Sequence, residues 1–164
     1  MPMSGAPGSP CRATAGPLPR HDGATTIAYE CRGGIDNGAL DALHAEGFGP
    51  RPTGTDWRAR LHRHSLGWVC ARESGESGES GEDGRLVGFV NVAWDGGPHA
   101  FLVDTVVARR HRGRGTGAAL VSVAAERARA AGCEWLHVDF EDGLAPFYFG
   151  ACGFRPTRAG LIAL

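Results

Sequence analysis

From Val107 to Ala118 the chain reads Val-Ala-Arg-Arg-His-Arg-Gly-Arg-Gly-Thr-Gly-Ala. Arginine and glycine at this density suit one task above others, the holding of phosphate. Glycines let a backbone curl with its N–H groups turned inward. A helix that starts just beyond adds about half a positive charge at its first turn, and the two together bind phosphate-bearing ligands. Arg109, Arg110, Arg112 and Arg114 all fall in this stretch, and a guanidinium meets phosphate with a fixed fork of N–H donors.

Three phosphate loops compete for the segment. A P-loop ends in Gly-Lys-Ser/Thr, and the chain has no lysine. A dinucleotide fingerprint, G-x-G-x-x-G/A, is met by Gly113, Gly115 and Ala118, with Asp139 about 20 residues on. Its first glycine should stand at the end of the strand, however, whereas five residues separate Val107 from Gly113. Too little chain follows Asp139 for the further strand–helix units that fold requires. The third pattern, Arg/Gln-x-x-Gly-x-Gly/Ala, is met by Arg112, Gly115 and Gly117. In this the chain resembles the GNAT family of N-acetyltransferases.

The elements that must carry such a loop are legible around it. Thr25 to Cys31 reads as a strand, and Asn37 to Glu46 has Ala39, Leu40 and Leu43 at helical spacing. Thr55 or Asp56 can cap a second helix, in which Trp57 and Leu61 share a face. Strands are predicted at Gly67 to Arg72, Arg85 to Trp94 and His99 to Val107, the last two joined at Asp95-Gly96-Gly97 and hence antiparallel. Gly115 to Ala131 is the longest helix, and Gly132 ends it. Trp135 to Phe140 returns as a strand, parallel to His99 to Val107 because a helix connects them. Leu144 to Cys152 reads as a last helix, stopped by Gly153, and Phe154 to Leu164 can add a closing hairpin.

Composition narrows the class. The length of 164 residues suits one domain, and 42% apolar residues are ordinary for a globular core. A net charge of −1 gives no general attraction to nucleic acid or an anionic membrane. Five dispersed cysteines, Cys11, Cys31, Cys70, Cys133 and Cys152, show no zinc spacing, so reduced thiols in a cytoplasmic protein without metal are expected. No apolar run reaches the ~18 residues that would span a bilayer. Residues 1–23 read as a disordered Pro/Gly-rich tail, residues 24–164 as one domain, and residues 73–84, with their Glu-Ser-Gly repeats, as a flexible acidic loop.

The resemblance implies an α/β (α+β) GNAT-type domain with a mixed central sheet of six to seven strands and about four helices. A second family pattern, Asn-x-x-Ala-x-x-Leu-Tyr-x-x-x-Gly-Phe, falls on Gly153-Phe154 with Ala145 in place. Asp142 stands for the asparagine, Tyr148 for the leucine and Phe149 for the tyrosine. The family's tyrosine commonly protonates the departing CoA thiolate, which Phe149 cannot do. Tyr148 is one residue away, about 100° around a regular helix, and a distortion near Pro146 or Gly150 could bring it round.

By the same resemblance, Thr105, Val106 and Val107 offer N–H groups to the pantetheine arm and thioester. The amides of Arg112, Gly113, Arg114, Gly115, Thr116 and Gly117 take the pyrophosphate, Arg109, Arg110 or Arg114 lies near the 3′-phosphate, and Asp142 joins the coenzyme-binding set. The implied activity is acetyl-CoA-dependent N-acetylation of a primary amine, on a small molecule, by direct attack; the amine must first lose a proton. Candidate bases are His137, mid-strand between Leu136 and Val138, Asp104, which interrupts an apolar strand, and Glu141, at the carboxyl end of its strand. These stay open. So do two rivals: a silent CoA-sensing or partner-binding module, and an acetyltransferase of protein N-termini or lysines. Homodimers are common in the family. Trp57, Trp68 and Trp94 lie where an acceptor pocket is usual, though core packing is the expected use of each.

Overall fold

The computed structural model describes residues 26–49, 51–74 and 84–164. A five-stranded sheet in the order β1-β2-β3-β4-β5 forms the centre: β1 Ile27–Cys31, β2 Ser65–Glu73, β3 Arg85–Trp94, β4 His99–Val107 and β5 Trp135–Val138. Neighbours run antiparallel from β1 to β4, and β4 and β5 run parallel, as the connecting helix dictates. Helices α1 (Asn37–Phe48) and α2 (Trp57–His64) cover one face, and α3 (Thr116–Ala130) covers the other.

Side-chain caps start α1 and α2. Asp36 caps α1, its Oδ1 accepting the Ala39 N–H at 2.7 Å. Asp56, not Thr55, caps α2, accepting from Ala59 at 3.1 Å; each such cap is worth about 1 kcal/mol. Leu40 and Leu43 of α1, and Trp57 and Leu61 of α2, are buried against the sheet, where the Trp57 ring meets Phe89 edge-on. On the opposite face α3 buries Leu120, Val121, Ala124 and Ala128. Trp57 and Trp68 are core residues, while Trp94 is partly exposed.

Several expectations need correction. The sheet has five strands among the described residues rather than six to seven, because Phe154 to Leu164 forms no strand and lies largely exposed. Beyond Cys152 only Phe154 packs against the core cluster, so little apolar burial is available to hold a hairpin down. The final helix is not α-helical: a 3₁₀ turn at Asp142–Leu144 precedes a π-helical turn at Pro146–Ala151. Glu73 belongs to β2 rather than to the acidic loop, since it pairs with Ile27 and Arg85. The 1–23 tail and residues 75–83 of the acidic loop lie outside the described residues.

Candidate active site

Strands β4 and β5 pair only from His99↔Trp135 to Leu102↔Val138. Beyond Leu102 the β5-facing edge of β4 has no strand beside it among the described residues, because β5 ends at Val138, and a wedge is left open past its carboxyl end. Position 104 marks the mouth. There the β3–β4 register jumps between Phe89↔Val106 and Asn91↔Val103, and Asp104 takes a φ of +56°, a left-handed conformation aspartate tolerates better than most residues. The resulting bulge turns two consecutive side chains, Val103 and Asp104, toward the α1/α2 face. Asp104 is met there from three elements: His44 Nε2 of α1 lies 3.2 Å from Oδ1, Arg60 of α2 3.5 Å from Oδ2, and Asn91 Nδ2 of β3 donates to Oδ2 at 3.4 Å. The Oδ1 of Asn91 is buried and accepts no hydrogen bond among the described residues.

At the end of β4 the chain passes through a short 3₁₀ turn, Arg109–His111, into α3. Gly113 and Gly115 hold φ of +71° and +85°, which glycine adopts without cost. The first helical bond runs from Ala119 N–H to Gly115 C=O at 3.0 Å. The N–H groups from Gly113 to Ala118 therefore have no acceptor among the described residues. Free amides at a helix N-terminus are an anion cradle.

The arginines divide the work. Arg112 folds back on its own loop, its Nε donating to Val107 C=O at 2.8 Å and its guanidinium to Glu46 C=O at 3.3 Å. It pins the loop to α1 rather than facing outward. Arg110 pairs with Glu73 and donates to His111 Nε2. Arg109 and Arg114 have exposed side chains without a recorded partner and are the two left for an incoming phosphate.

The π-helical turn decides which aromatic faces the wedge. An i→i+5 bond, from Cys152 N–H to Phe147 C=O at 3.0 Å, widens the turn and changes the angle between successive residues. Tyr148 is turned inward, 5% exposed, stacked on Phe140 with ring centroids 4.6 Å apart. Phe149 is turned outward, 38% exposed. The Tyr148 hydroxyl lies toward the Thr105 side chain on β4. Burial pushes its pKa above the ordinary tyrosine value, and the Thr105 contact offsets only part of that rise. Close by, Phe147 packs on Gly117, where a Cβ would meet the ring at 3.1 Å.

A parallel-strand wedge leading into a helix-capping loop of free amides is one half of the comparison; the sequence family is the other. The model of the acetyltransferase (GNAT) family matches residues 38–154. The chain belongs to this family. The matched residues run from α1 through the π-helical turn to Phe154. A GNAT-family acetyltransferase from Streptococcus pneumoniae superposes with a TM-score of 0.64 at 18% identity, covering 85% of this chain and 98% of that one. Glucosamine-6-phosphate N-acetyltransferase from Arabidopsis thaliana gives 0.60 at 17%, covering 84% and 98%. Aminoglycoside N-acetyltransferase AAC(6')-Iy in complex with CoA gives 0.64 at 18%, covering 90% and 97%. Among curated protein sequences, none matches this chain.

Within the GNAT frame the four proton-transfer candidates do not come together. Asp104 adjoins Thr105 at the mouth of the wedge, and Tyr148 faces Thr105 from the other side of β4. His137 stands opposite Phe101, about 13 Å along the strand from Thr105 at ~3.3 Å per residue. Its ring is stacked between Phe101 and His99, with Nε2 2.8 Å from His99 Nδ1. Glu141 precedes the 3₁₀ turn with its side chain exposed, and Asp142 beside it is exposed as well. Val106 and Val107 turn their side chains to opposite faces, Val106 against Gly47 of α1 and Val107 toward Gly117 of α3. Thr116 is buried, in reach of the Tyr29 hydroxyl. Among the described residues no group of three or more His, Cys, Asp or Glu side chains is placed to hold a metal ion, and no helix is long and apolar enough to cross a membrane.

Sequence reasoning missed His44, Arg60 and Asn91. His44 shares α1 with Leu40 and Leu43, and nothing local distinguishes it. A histidine one turn beyond a core leucine was the one available signal.

Proposed function

We propose that the protein transfers an acetyl group from acetyl-CoA to the primary amine of a small molecule by direct attack. The observation that carries this is that a single run of chain leads from the unpaired edge of β4, through the Asp104 bulge, to the free amides of Gly113 to Gly117. Acetyl-CoA supplies an acyl thioester to a neutral amine held beside it. The loop amides, with Arg109 and Arg114, fit its phosphates. Arg112 supports the cradle from behind. Thr105, Val106 and Val107 border the wedge that admits the pantetheine arm.

The amine reaches the wedge from the α1/α2 side, where Asp104 attracts its nitrogen. The proton released as nitrogen bonds to the acyl carbon passes to the Asp104–His44 pair, whose atoms lie 3.2 Å apart. His137 is too far along β4 for the hydrogen-bond reach a base requires, and Glu141 lies past the end of β5. Tyr148, kept protonated by burial, gives its proton to the sulfur as the C–S bond breaks. Acid and base then act from opposite faces of β4, and no covalent enzyme intermediate is needed.

Calorimetry with acetyl-CoA and CoA, followed by thiol release across a panel of amines, tests the proposal. Asp104→Asn and His44→Gln should each lower kcat by about 10²-fold, the low end for general-base catalysis, with acetyl-CoA affinity retained. Binding without turnover for every amine would make the protein a CoA sensor instead. Binding no tighter than millimolar and indifferent to Gly115→Val would end the coenzyme assignment.

A further inference from the structure

Beside Asp104 and its partners the sheet leaves apolar side chains exposed. On the α1/α2 face, β4 presents Phe101 and Val103, 41% and 36% exposed. Helix α1 crowds Val106 so closely that a Cβ on Gly47 would come within 2.9 Å of it, and ends at Phe48, 57% exposed. It does not cover the two residues nearer β5. The Phe101 ring is held flat against His137, 4.8 Å between centroids and 20° between planes. On the α1 side Phe48 stacks on His44 at 4.5 Å and 21°, the same histidine that meets Asp104. An aromatic wall on the sheet and another on the helix thus flank one carboxylate, with the orphaned carbonyl oxygen of Asn91 next to it.

Resting on the acetyltransferase reading above, we infer that the acceptor is an amine carried on an aromatic or aliphatic body, which lies along Phe101 and Val103 with its nitrogen at Asp104. The charges argue against the alternatives. A polycationic acceptor needs several free carboxylates, whereas Asp104 is already shared with Arg60 and His44. A sugar phosphate needs an uncommitted cation, yet the guanidinium of Arg60 lies over the Trp57 ring and beside Asp104. One carboxylate and an apolar, planar flank fit a monoamine with an apolar tail. Exposed aromatic surface of this kind marks a site to be covered, and its continuity with the wedge selects the acceptor as what covers it.

The test uses the full chain saturated with CoA, into which 2-phenylethylamine, hexylamine, glucosamine and spermidine are titrated by calorimetry; kcat and KM follow by thiol release. The inference expects 2-phenylethylamine and hexylamine to bind at least about tenfold tighter than glucosamine or spermidine. Phe101→Ala should raise KM for 2-phenylethylamine about tenfold, the scale of one lost apolar contact in a specificity pocket, with acetyl-CoA affinity unchanged. Phe101→Leu should restore hexylamine more than 2-phenylethylamine. Preference for glucosamine or spermidine, or equal loss for all four amines in Phe101→Ala, overturns it. So does a dimer in sedimentation that Phe101→Ala dissociates, which would give this face to a second copy. Acetyl-CoA binding is read separately, so these outcomes leave the acetyltransferase reading standing, whereas loss of that binding removes both.

Discussion

Gly115 and Gly117 occupy one motif but should fail for different reasons, and the difference can be worked out in advance. A Cβ on Gly115 would meet no atom within 4 Å, and its φ is +85°. Gly115→Ala therefore introduces no clash, only the cost of a left-handed backbone for an L-residue, about 1–2 kcal/mol. If the loop relaxes to relieve this strain, the amide cradle is lost until coenzyme restores it, and affinity falls by about 5- to 30-fold at ~1.4 kcal/mol per factor of ten. Asparagine visits the left-handed region far more readily, so Gly115→Asn should recover most of the affinity. At Gly117 φ is not positive, but a Cβ meets the Phe147 ring at 3.1 Å. Gly117→Ala should thus displace Phe147 and its neighbour Tyr148, lowering kcat while affinity holds. Calorimetry with CoA on the three variants, with Tm measured alongside, is the assay. If Ala and Asn at position 115 weaken binding equally, or if Ala changes neither Kd nor Tm, the left-handed turn is not what shapes the cradle.

Other expectations follow from the same geometry. Tyr148→Phe should lower kcat with little change in KM, and no alkaline limb below pH ~10 should belong to Tyr148, because burial raises its pKa above that ordinary value. A wild-type alkaline limb near pH 8 that vanishes in this variant would contradict the assignment. Cys70, whose thiol is pushed up to about 12 by burial, should resist thiol reagents at pH 8 in the folded protein and react once denatured. The unfolded thiol ionises first, so this group's contribution to stability is present below pH ~8.5 and lost as pH rises toward 12; a Cys70→Ala variant should lose that part of the alkaline decline. Burial pushes the Asp41 carboxyl up, but hydrogen bonds from the Gly54 N–H, the Trp57 indole and the Thr53 hydroxyl and backbone hold it below the usual range. Its stabilisation is therefore present above pH ~4 and lost as pH falls through the lower folded value. Asp41→Asn should flatten the acid side of a Tm-against-pH curve, and an unchanged slope would exclude it as the source.

What a stretch of chain does with its own neighbours was readable in the residues. Gly113, Gly115 and the following alanine-rich run specify a left-handed turn and a helix whatever lies around them, because φ preference and helix propensity act over a few residues. The same holds for a cap at Thr55 or Asp56, of which the structure uses Asp56, and for the parallel pairing of β4 with β5, which the α3 crossover imposes. Two things needed the folded molecule. Whether Tyr148 or Phe149 faces the wedge depends on a π-turn, in which the Tyr148 ring packs on Phe140 and Phe154 and turns toward Thr105 of the distant β4. The partners of Asp104 arrive from α1, α2 and β3, with His44 60 residues away, and no local pattern encodes a meeting over that separation. Likewise, Phe101 and Val103 belong to an apolar run, yet both are exposed. They are surface because α1 ends at Phe48 and β5 is short, and burial is set by where neighbouring elements stop rather than by the residues themselves.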